Sequence, residues 1–502
     1  MNAHLIFSIL VLIAYTAFSL FVGMGVGYSK ETVSTARGYF LGGGTGYFIL
    51  FFTTAATWFS TWIYMGAPGS FYKHGIGWVA GMTWQLLIMM LMGNFGPKFW
   101  RLSHDNGYIT PADLMQGYYD KDGKTLRISV AVGQIIFCIP TMMAQVSGVG
   151  LAIATLTGGA IPFWVGCVYA AGVVGIYVYF GGFKSQAWVD TMQGIMFTVI
   201  LWISVVIMLV QPELGGISGL FIRIEQLNAK LLTYLPTSEY WNWKNYIGFF
   251  LVQAMGGFFA PYVWQRMYAA KSGGTVRKMA GTLGAFYCLA IMLPVMLVGF
   301  GGFALGVETA NADNILVATM NDYAPIWGIF VVTGILAAGM STISSIVVAS
   351  SSIISIDFIK TANPDISTTK LRDIARWCVL GMLFISVMAS LVGTSGIVVL
   401  INTALAGFTQ AFWPIFGIFV WKRATKEGAT LGWITGIVIT LALTLTGQSI
   451  LGFIPGFWGF VFNGAVFFIV SLLTKPVDKA RQEEFMKPLT RCSVMGKVSV
   501  TK

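Results

Sequence analysis

The sequence predicts an all-α polytopic membrane protein with about 13 transmembrane helices. Only 49 of the 502 residues are charged, 30 Lys and Arg and 19 Asp and Glu, whereas 56% are hydrophobic. Soluble domains carry roughly 25% charged residues, so this composition cannot cover the surface of several soluble domains. It therefore excludes a soluble multidomain enzyme, a nucleic-acid-binding protein and a disordered chain. Two further observations, the long apolar runs and the asymmetry of the basic residues, support this fold class.

Apolar runs of about 18 residues or more mark the candidate spans, since about 20 helical residues cross the hydrocarbon core. Thirteen such runs occur, at approximately 5–26, 45–66, 76–97, 127–156, 161–181, 187–211, 246–267, 279–306, 324–357, 375–394, 396–421, 429–446 and 453–473. The first run lacks a basic segment before it, so we interpret it as a span rather than a removed signal. No loop between the runs is long enough to fold alone, which predicts a single membrane domain over 1–502.

The basic residues fall mainly on one side of this arrangement. Of the 30, 26 lie in alternate loops or in the tail 474–502, and Lys73, Arg223, Lys230 and Lys244 are the other four. The positive-inside rule then places the N-terminus outside and the tail in the cytoplasm, with Arg266 in an inward loop. The net charge of +11 therefore indicates orientation in a bacterial-type plasma membrane and not a nucleic-acid partner.

Enzymatic chemistry finds little support in the sequence. The three histidines, His4, His74 and His104, lie at span edges without metal-ligand spacing, and GGGTG at 42–46 lacks the lysine of a phosphate loop. An intramembrane enzyme is the weaker hypothesis. The external segment 212–245 has apolar residues at near-helical spacing and predicts short helices on the outer surface, either as a gate cover or as a solvated linker.

Hydroxyl groups concentrate in the ninth span. Ala338, Ser341, Thr342 and Ser345 follow an i, i+3, i+4, i+7 pattern on one helical stripe, with Ser344 beside it. Hydroxyl and carbonyl oxygens suit a hard cation that has shed its water. The alternative is that small hydroxyl residues only let helices approach or bond to their own backbone.

Two other membrane features are candidates for an ion pathway. The second span is interrupted by GAPG at 66–69, where either an unwound helix frees carbonyl oxygens or a proline simply ends the helix. Asp190 is a lone acid near the cytoplasmic end of the sixth span, and such acids often face a cavity.

The chain resembles the sodium:solute symporter family. The resemblance is carried by YFLGGGTGYFILFFTTAATWFSTWIYMGAPGSFYKHGIGW (39–78), YVYFGGFKSQAWVDTMQG (177–194), APYVWQRMYAAKSGGTVRK (260–278), ILAAGMSTISS (335–345) and WKRATKEGATLGWITG (421–436). It implies two inverted five-helix repeats, 45–211 (spans 2–6) and 246–421 (spans 7–11), whose first helices are broken. It also implies a sodium-coupled symporter, not an enzyme, that imports a small organic solute by alternating access and works as a monomer in the bilayer.

The resemblance also implies where sodium binds. The shared sodium site of the family corresponds to the carbonyls of Ala56, Phe59 and Ala338 with the hydroxyls of Ser341 and Thr342. A second sodium site, present in one branch of the family, corresponds to Asp190, Ser341, Ser344 and Ser345. The sequence thus predicts one or two bound sodium ions.

The solute contacts implied by the resemblance come mainly from spans 2, 3, 7 and 11. The polar or aromatic candidates are Trp58, Ser60, Gln85, Gln253 and Gln410, each glutamine being alternatively a helix-to-helix hydrogen-bonding residue. No unpaired basic residue stands in the middle of these spans, so we expect a monocarboxylate, an amino acid or a related metabolite. A membrane sensor domain and a passive channel are the alternatives.

Overall fold

The computed structural model describes residues 3–121, 123–233, 242–393 and 397–490. Within these ranges the chain is helical, with one isolated parallel bridge between Thr45 and Ala270. The first eleven helices are α1 (Ala3–Leu20), α2 (Ala36–Leu41), α3 (Tyr47–Trp58), α4 (Ala67–His74), α5 (Gly77–Met82), α6 (Trp84–Asn106), α7 (Pro111–Tyr119), α8 (Thr125–Leu156), α9 (Phe163–Leu209), α10 (Gly216–Asn228) and α11 (Trp243–Phe259). The remaining helices are α12 (Pro261–Ala269), α13 (Gly273–Phe286), α14 (Leu293–Ala304), α15 (Ile315–Tyr323), α16 (Pro325–Ile353), α17 (Thr368–Val392), α18 (Ile397–Phe408), α19 (Phe412–Phe419), α20 (Lys426–Leu445), α21 (Pro455–Leu473) and α22 (Lys479–Thr490).

The described residues contain 10 helices that are long and apolar enough to cross a membrane, or up to 12 if each of two bent pairs counts as one span. The bent pairs are Tyr47–Trp58 with Trp62–His74, at 57°, and Trp243–Phe259 with Pro261–Ala269, at 47°. These results confirm the all-α membrane fold and agree with the predicted runs. The count of thirteen and the inverted repeats stay predictions, and the junction at 394–396 lies outside the described residues.

Helix α9 joins the predicted runs 161–181 and 187–211 into one element of 47 residues. At 1.5 Å per residue it is about 70 Å long, more than twice the roughly 30 Å of a hydrocarbon core. The helix bends at Gly182, whose φ of 57° and ψ of −147° only glycine adopts without strain. The bend lets both halves of α9 pack against their neighbours.

The break in the second span is not at GAPG, where the sequence suggested it. Helix α3 ends at Trp58, a π-helical segment runs over Trp62–Gly66, and α4 begins at Ala67. Pro68 lies inside the continuous helical stretch Trp62–His74, directly after its π-helical part, so it does not end the helix. The unwound residues are Phe59 and Ser60, well before the proline.

Segment 212–245 forms a short helix, as predicted, over its described part. Helix α10 buries Leu220 and Ile224, and the backbone N–H of Ile76 donates to the carbonyl of Leu231 at 2.7 Å. The segment is therefore packed onto the membrane domain. Residues 234–241 lie outside the described residues, and its role as a gate cover stays a prediction.

The tail also packs against the membrane domain. In α22, Arg481 donates to the carbonyls of Tyr118 and Gly117 on α7, at 2.9 and 2.7 Å. Residues 491–502 of the predicted tail are outside the described ranges.

Helix α16 lies at the centre of the fold. Its residues from Val331 to Ile353 are all buried, and it packs against α3, α8 and α9. A helix segment that is buried on all sides does not face lipid. Its polar side chains therefore face other helices, which makes the hydroxyl stripe a site-forming element.

Replacing Gly256 with alanine should destabilise the packing of α11 on α18. A Cβ atom at this position would collide with the carbonyl oxygen of Leu405, which is backbone and cannot turn aside. Overpacking of this kind costs about 1–3 kcal/mol, so the melting temperature in detergent should fall. Gly281→Ala is the matched control, because nothing lies within 4 Å of a Cβ there. Equal melting temperatures of the two variants would contradict this view of the contact.

Candidate functional site

The break after α3 is held by a glutamine from another helix. Phe59 leaves the helical conformation, with φ −88° and ψ 61°. The backbone N–H and the hydroxyl of Thr61 both donate to Oε1 of Gln145 on α8, at 3.0 and 2.8 Å. Unwound backbone inside a membrane must find such partners, because no bulk water is available there. Gln145, which the sequence did not single out, therefore stabilises the break.

Gln145→Leu should weaken the site by leaving the N–H of Thr61 buried without an acceptor. The expected cost is about 1–3 kcal/mol, seen as a lower melting temperature and weaker stabilisation by sodium. Gln134→Leu is the control, since Gln134 lies on the same helix and neither of its buried amide atoms has a hydrogen-bond partner among the described residues. If Gln145→Leu and Gln134→Leu behaved alike, the acceptor would not be what holds the break.

Ending α3 at this point frees carbonyl oxygens, because the last four carbonyls of a helix have no intrahelical partner. The hydroxyl of Ser341 donates to the carbonyls of Ala56 and Ala338, at 2.8 and 3.0 Å. That of Thr342 donates to the carbonyls of Thr57 and Ala338, at 3.0 and 3.2 Å. The structure thus brings Ala56, Ala338, Ser341 and Thr342 together.

This cluster, which we call the oxygen cluster (Ala56, Thr57, Ala338, Ser341 and Thr342), is buried and consists of uncharged residues, with Arg266 in contact with the hydroxyl of Thr57. Phe59, the other predicted carbonyl donor, is fully buried at the break, one turn beyond Ala56. Hydroxyl protons now point at the carbonyls, and each hydroxyl can rotate its proton away so that its lone pairs and the carbonyls face one cation. Neutral oxygens of this type are the ligands that a hard cation takes.

A second cluster surrounds Asp190 on α9. Its Oδ1 accepts from Ser344 at 3.1 Å, and its Oδ2 accepts from Thr53 at 2.7 Å and Gln186 at 3.1 Å. Ser345 donates to the carbonyl of Ser341 at 2.6 Å. The four residues predicted for a second sodium are therefore close together in space.

Arg266 also lies in this second cluster, which the sequence did not predict. The residue is on α12, fully buried, rather than in the inward loop expected from the charge count. Its Nη2 is 3.2 Å from Oδ2 of Asp190, and both side chains are completely enclosed. The count of basic residues by the positive-inside rule assumed that each Arg and Lys near a span end is exposed. That assumption is wrong for Arg266, because a buried carboxylate neutralises its guanidinium.

A small cavity of about 30 Å³ lies next to the oxygen cluster. Four predicted residues line it, Trp58, Ser60, Gln85 and Gln253. Thr342 of the oxygen cluster lines it too. The other lining residues are Thr57, Trp62, Trp84, Thr141, Gln145, Gly257, Tyr262, Ile401, Asn402 and Leu405. None of the lining side chains carries a charge at neutral pH.

Gln410, the fifth predicted solute residue, is not at this cavity. Its Nε2 donates to the carbonyl of Ala406 at 3.0 Å, and Nδ2 of Asn463 on α21 donates to its Oε1 at 3.1 Å. Gln410 therefore joins helices, the alternative that the sequence left open, because it faces α20 and α21 rather than α3. Asn402 lies about two helical turns before Gln410. Its Oδ1 accepts a hydrogen bond from Nε2 of Gln253.

An ionic network joins α7, α8 and the end of α16 on the predicted cytoplasmic side. Arg127 donates to Oδ1 of Asp113 at 2.6 Å and to Oδ1 of Asp357 at 2.8 Å. Thr110 donates to the same oxygen of Asp357 at 2.9 Å, while Oδ2 of Asp357 is buried without a hydrogen-bond partner. Beside the network, burial raises the pKa of Tyr108 to about 12, so this phenol stays protonated. The network fastens this end of the molecule.

Comparison with known proteins identifies the family. The model of the sodium:solute symporter family matches residues 39–436, well over half of the chain. The chain belongs to the sodium:solute symporter family. It is therefore a membrane transporter of the symporter type and not an enzyme.

Among its relatives is a sodium/pantothenate symporter of Haemophilus influenzae, 28% identical over 415 residues, covering 81% of this chain and 84% of the relative. An osmoregulated proline transporter of Bacillus subtilis is 28% identical over 475 residues, covering 91% and 94%. A solved structure described as the substrate-bound outward-open state of a Na⁺-coupled sialic acid symporter, with a novel Na⁺-site, matches with a TM-score of 0.79 and 22% identity. It covers 94% of this symporter and 99% of that chain, and at this identity it shows the shared fold.

Proposed function

We propose that this symporter imports a small organic solute, a monocarboxylate, an amino acid or a related metabolite, together with sodium by alternating access. The observation that carries the proposal is the position of Thr342, which belongs to the oxygen cluster and also lines the cavity. An ion bound at that hydroxyl would order the wall against which the solute lies. Sodium and solute would then bind cooperatively, each raising the affinity for the other by the same factor.

The proposed sodium ligands are the carbonyls of Ala56, Phe59 and Ala338 and the hydroxyls of Ser341 and Thr342. They come from α3 and α16, so the ion would draw these two helices together. Release of sodium would return the hydroxyl protons to the carbonyls of Ala56 and Thr57, as in this structure. The oxygen cluster thus has two satisfied arrangements, with and without the ion, as a reversible carrier needs.

The chemistry of the cavity supports a small solute with both donors and acceptors. Oε1 of Gln85, Oε1 of Gln253, Nε2 of Gln145 and Nε1 of Trp62 are buried and have no hydrogen-bond partner among the residues that the structure describes. A solute that pairs with such atoms gains strongly over one that leaves them unpaired. An ammonium group suits the two oxygens and a carboxylate suits the two N–H groups, so amino acids are the best chemical match, and the cavity of about 30 Å³ would have to widen to admit one. Trp58 would supply an apolar wall, and Ser60 a further hydroxyl.

We further propose that the protein acts as a monomer in a bacterial-type plasma membrane, with its N-terminus outside and its tail in the cytoplasm. The packing of α22 against α7, beside the basic end of the molecule, is consistent with a cytoplasmic tail. The two bent helix pairs stand at the start of the proposed repeats 45–211 and 246–421. This arrangement supports the inverted-repeat hypothesis.

A thermal-shift screen of the purified protein tests the function. Amino acids, monocarboxylates and unrelated neutral solutes are each added in sodium chloride and in choline chloride at equal ionic strength. At 100 times its dissociation constant a true ligand stabilises by about 2.7 kcal/mol, so its effect on the melting temperature is readily measured. We expect amino acids to stabilise in sodium only. Stabilisation of equal size in choline would contradict sodium coupling.

A further inference from the structure

Arg266 contacts most of the second cluster through one nitrogen of its guanidinium. Nη2 lies within hydrogen-bonding distance of Asp190 at 3.2 Å, Thr53 at 3.1 Å, Ser345 at 2.5 Å and also Thr57, and its two N–H groups are shared among these acceptors. These partners come from α3, α9 and α16. One guanidinium nitrogen therefore joins α9 and α16, which carry the residues predicted for a second sodium, and links them to α3.

The rest of the guanidinium fixes this position. Nη1 donates to the carbonyl of Tyr262 at 2.8 Å, and Nε donates to the carbonyl of Thr53 at 3.3 Å. The group also lies 5.9 Å from the centre of the Phe183 ring. Arginine does not lose its proton in proteins, so this charge is permanent. Hydrogen bonds at Nε, Nη1 and Nη2 and the ring of Phe183 therefore hold the side chain of Arg266 in place.

A sodium ion in the second cluster would share two of its oxygen-bearing groups with Arg266. The second-sodium hypothesis uses Asp190, Ser341, Ser344 and Ser345, and Arg266 already contacts the carboxylate of Asp190 and the hydroxyl of Ser345. Adding sodium would set two positive charges against one carboxylate in a buried, low-dielectric site. The repulsion between the cations and the loss of the hydrogen bonds of Arg266 would both oppose binding.

We propose that Arg266 is a resident cation that fills the second cation site, so that transport is coupled to one sodium ion, bound at the oxygen cluster. The inference rests on the proposed function, because it presupposes that the first ion binds there. It assigns Arg266 the role of setting the ion stoichiometry. Since Tyr262 lines the solute cavity and holds Nη1 of Arg266, the resident charge also positions one wall of that cavity.

The test counts sodium ions in the purified protein by equilibrium dialysis against radioactive sodium, with sodium titrations of the melting temperature alongside. The wild type should bind one ion per chain, with a Hill coefficient of about 1. Arg266→Gln removes the charge but keeps a polar side chain, and should bind a second ion with a Hill coefficient rising towards about 2. Arg266→Lys, which keeps the charge, should still bind one. Adding Asp190→Asn to Arg266→Gln should remove the second ion again.

Two sodium ions bound to the wild type would overturn the inference, and this measurement needs no variant to fold. A monodisperse Arg266→Gln protein that binds no more sodium than the wild type would overturn it as well. A wild type that binds no sodium at all would refute the proposed function itself. Failure of the proposed role of Arg266 can therefore be distinguished from failure of the proposed sodium-coupled function.

Discussion

Thr342→Val is expected to remove most of the sodium response of this symporter. Valine keeps the shape and the branching of threonine but has no hydroxyl, so the oxygen cluster loses one neutral ligand and one partner of the Thr57 carbonyl. A polar contact to a charged group contributes about 1.5–3 kcal/mol, so sodium affinity should fall roughly 10- to 100-fold. The measurement is the sodium concentration that gives half-maximal uptake in proteoliposomes, together with the sodium-dependent shift in melting temperature.

Thr342→Ser is the matched control, because it keeps the hydroxyl and removes one methyl group. It should retain sodium activation near that of the wild type. Thr333→Val is a second control, since Thr333 lies on the same helix and donates to its own backbone, at the carbonyl of Ile329. Sodium-driven uptake by Thr342→Val that matched the wild type would contradict the proposed ion site.

Arg127→Gln is expected to produce the largest loss of stability among the changes considered. It would leave Asp113 and Asp357 without their shared cation, although their side chains are only 10% and 0% exposed. Removing one partner of a buried ion pair costs about 3–5 kcal/mol. The melting temperature in detergent should fall clearly, and it should fall in the presence of sodium as well as in its absence.

The double variant Arg127→Gln with Asp357→Asn should recover part of this loss, because the fully enclosed negative charge is then gone. Arg127→Lys should be intermediate, since lysine keeps the charge but cannot bridge two carboxylates with a planar fork. An unchanged melting temperature of Arg127→Gln would show that the network does not fasten this end of the molecule.

The positions of the spans could be predicted from the sequence because hydropathy over about 20 residues is set by the bilayer alone. The hydroxyl stripe on α16 was visible for a similar reason, since helical periodicity places Ala338, Ser341 and Thr342 on one face whatever surrounds them. Four of the five solute residues predicted from the family resemblance line the cavity.

What could not be predicted depends on partners that are distant in the sequence. The break lies at Phe59 and Ser60 rather than at GAPG because Gln145, on another helix, supplies the acceptor that unwound backbone needs. Arg266 is buried because Asp190, 76 residues earlier, faces it. The residues near these positions in the sequence do not indicate either contact. Gln410 faces α21 rather than the cavity because Asn463 pairs with it there.

The buried guanidinium of Arg266 also bears on bioenergetics. A charge fixed to the protein returns to its starting position in every cycle, so it draws no net energy from the membrane potential. If it takes the place of an ion, each solute is driven by one sodium charge, which gains about 2.3 kcal/mol across 100 mV. That limits the electrical contribution to roughly 50-fold accumulation of a neutral solute, against roughly 2,000-fold for two charges. The cell would then import each solute molecule at half the sodium cost, with a shallower final gradient.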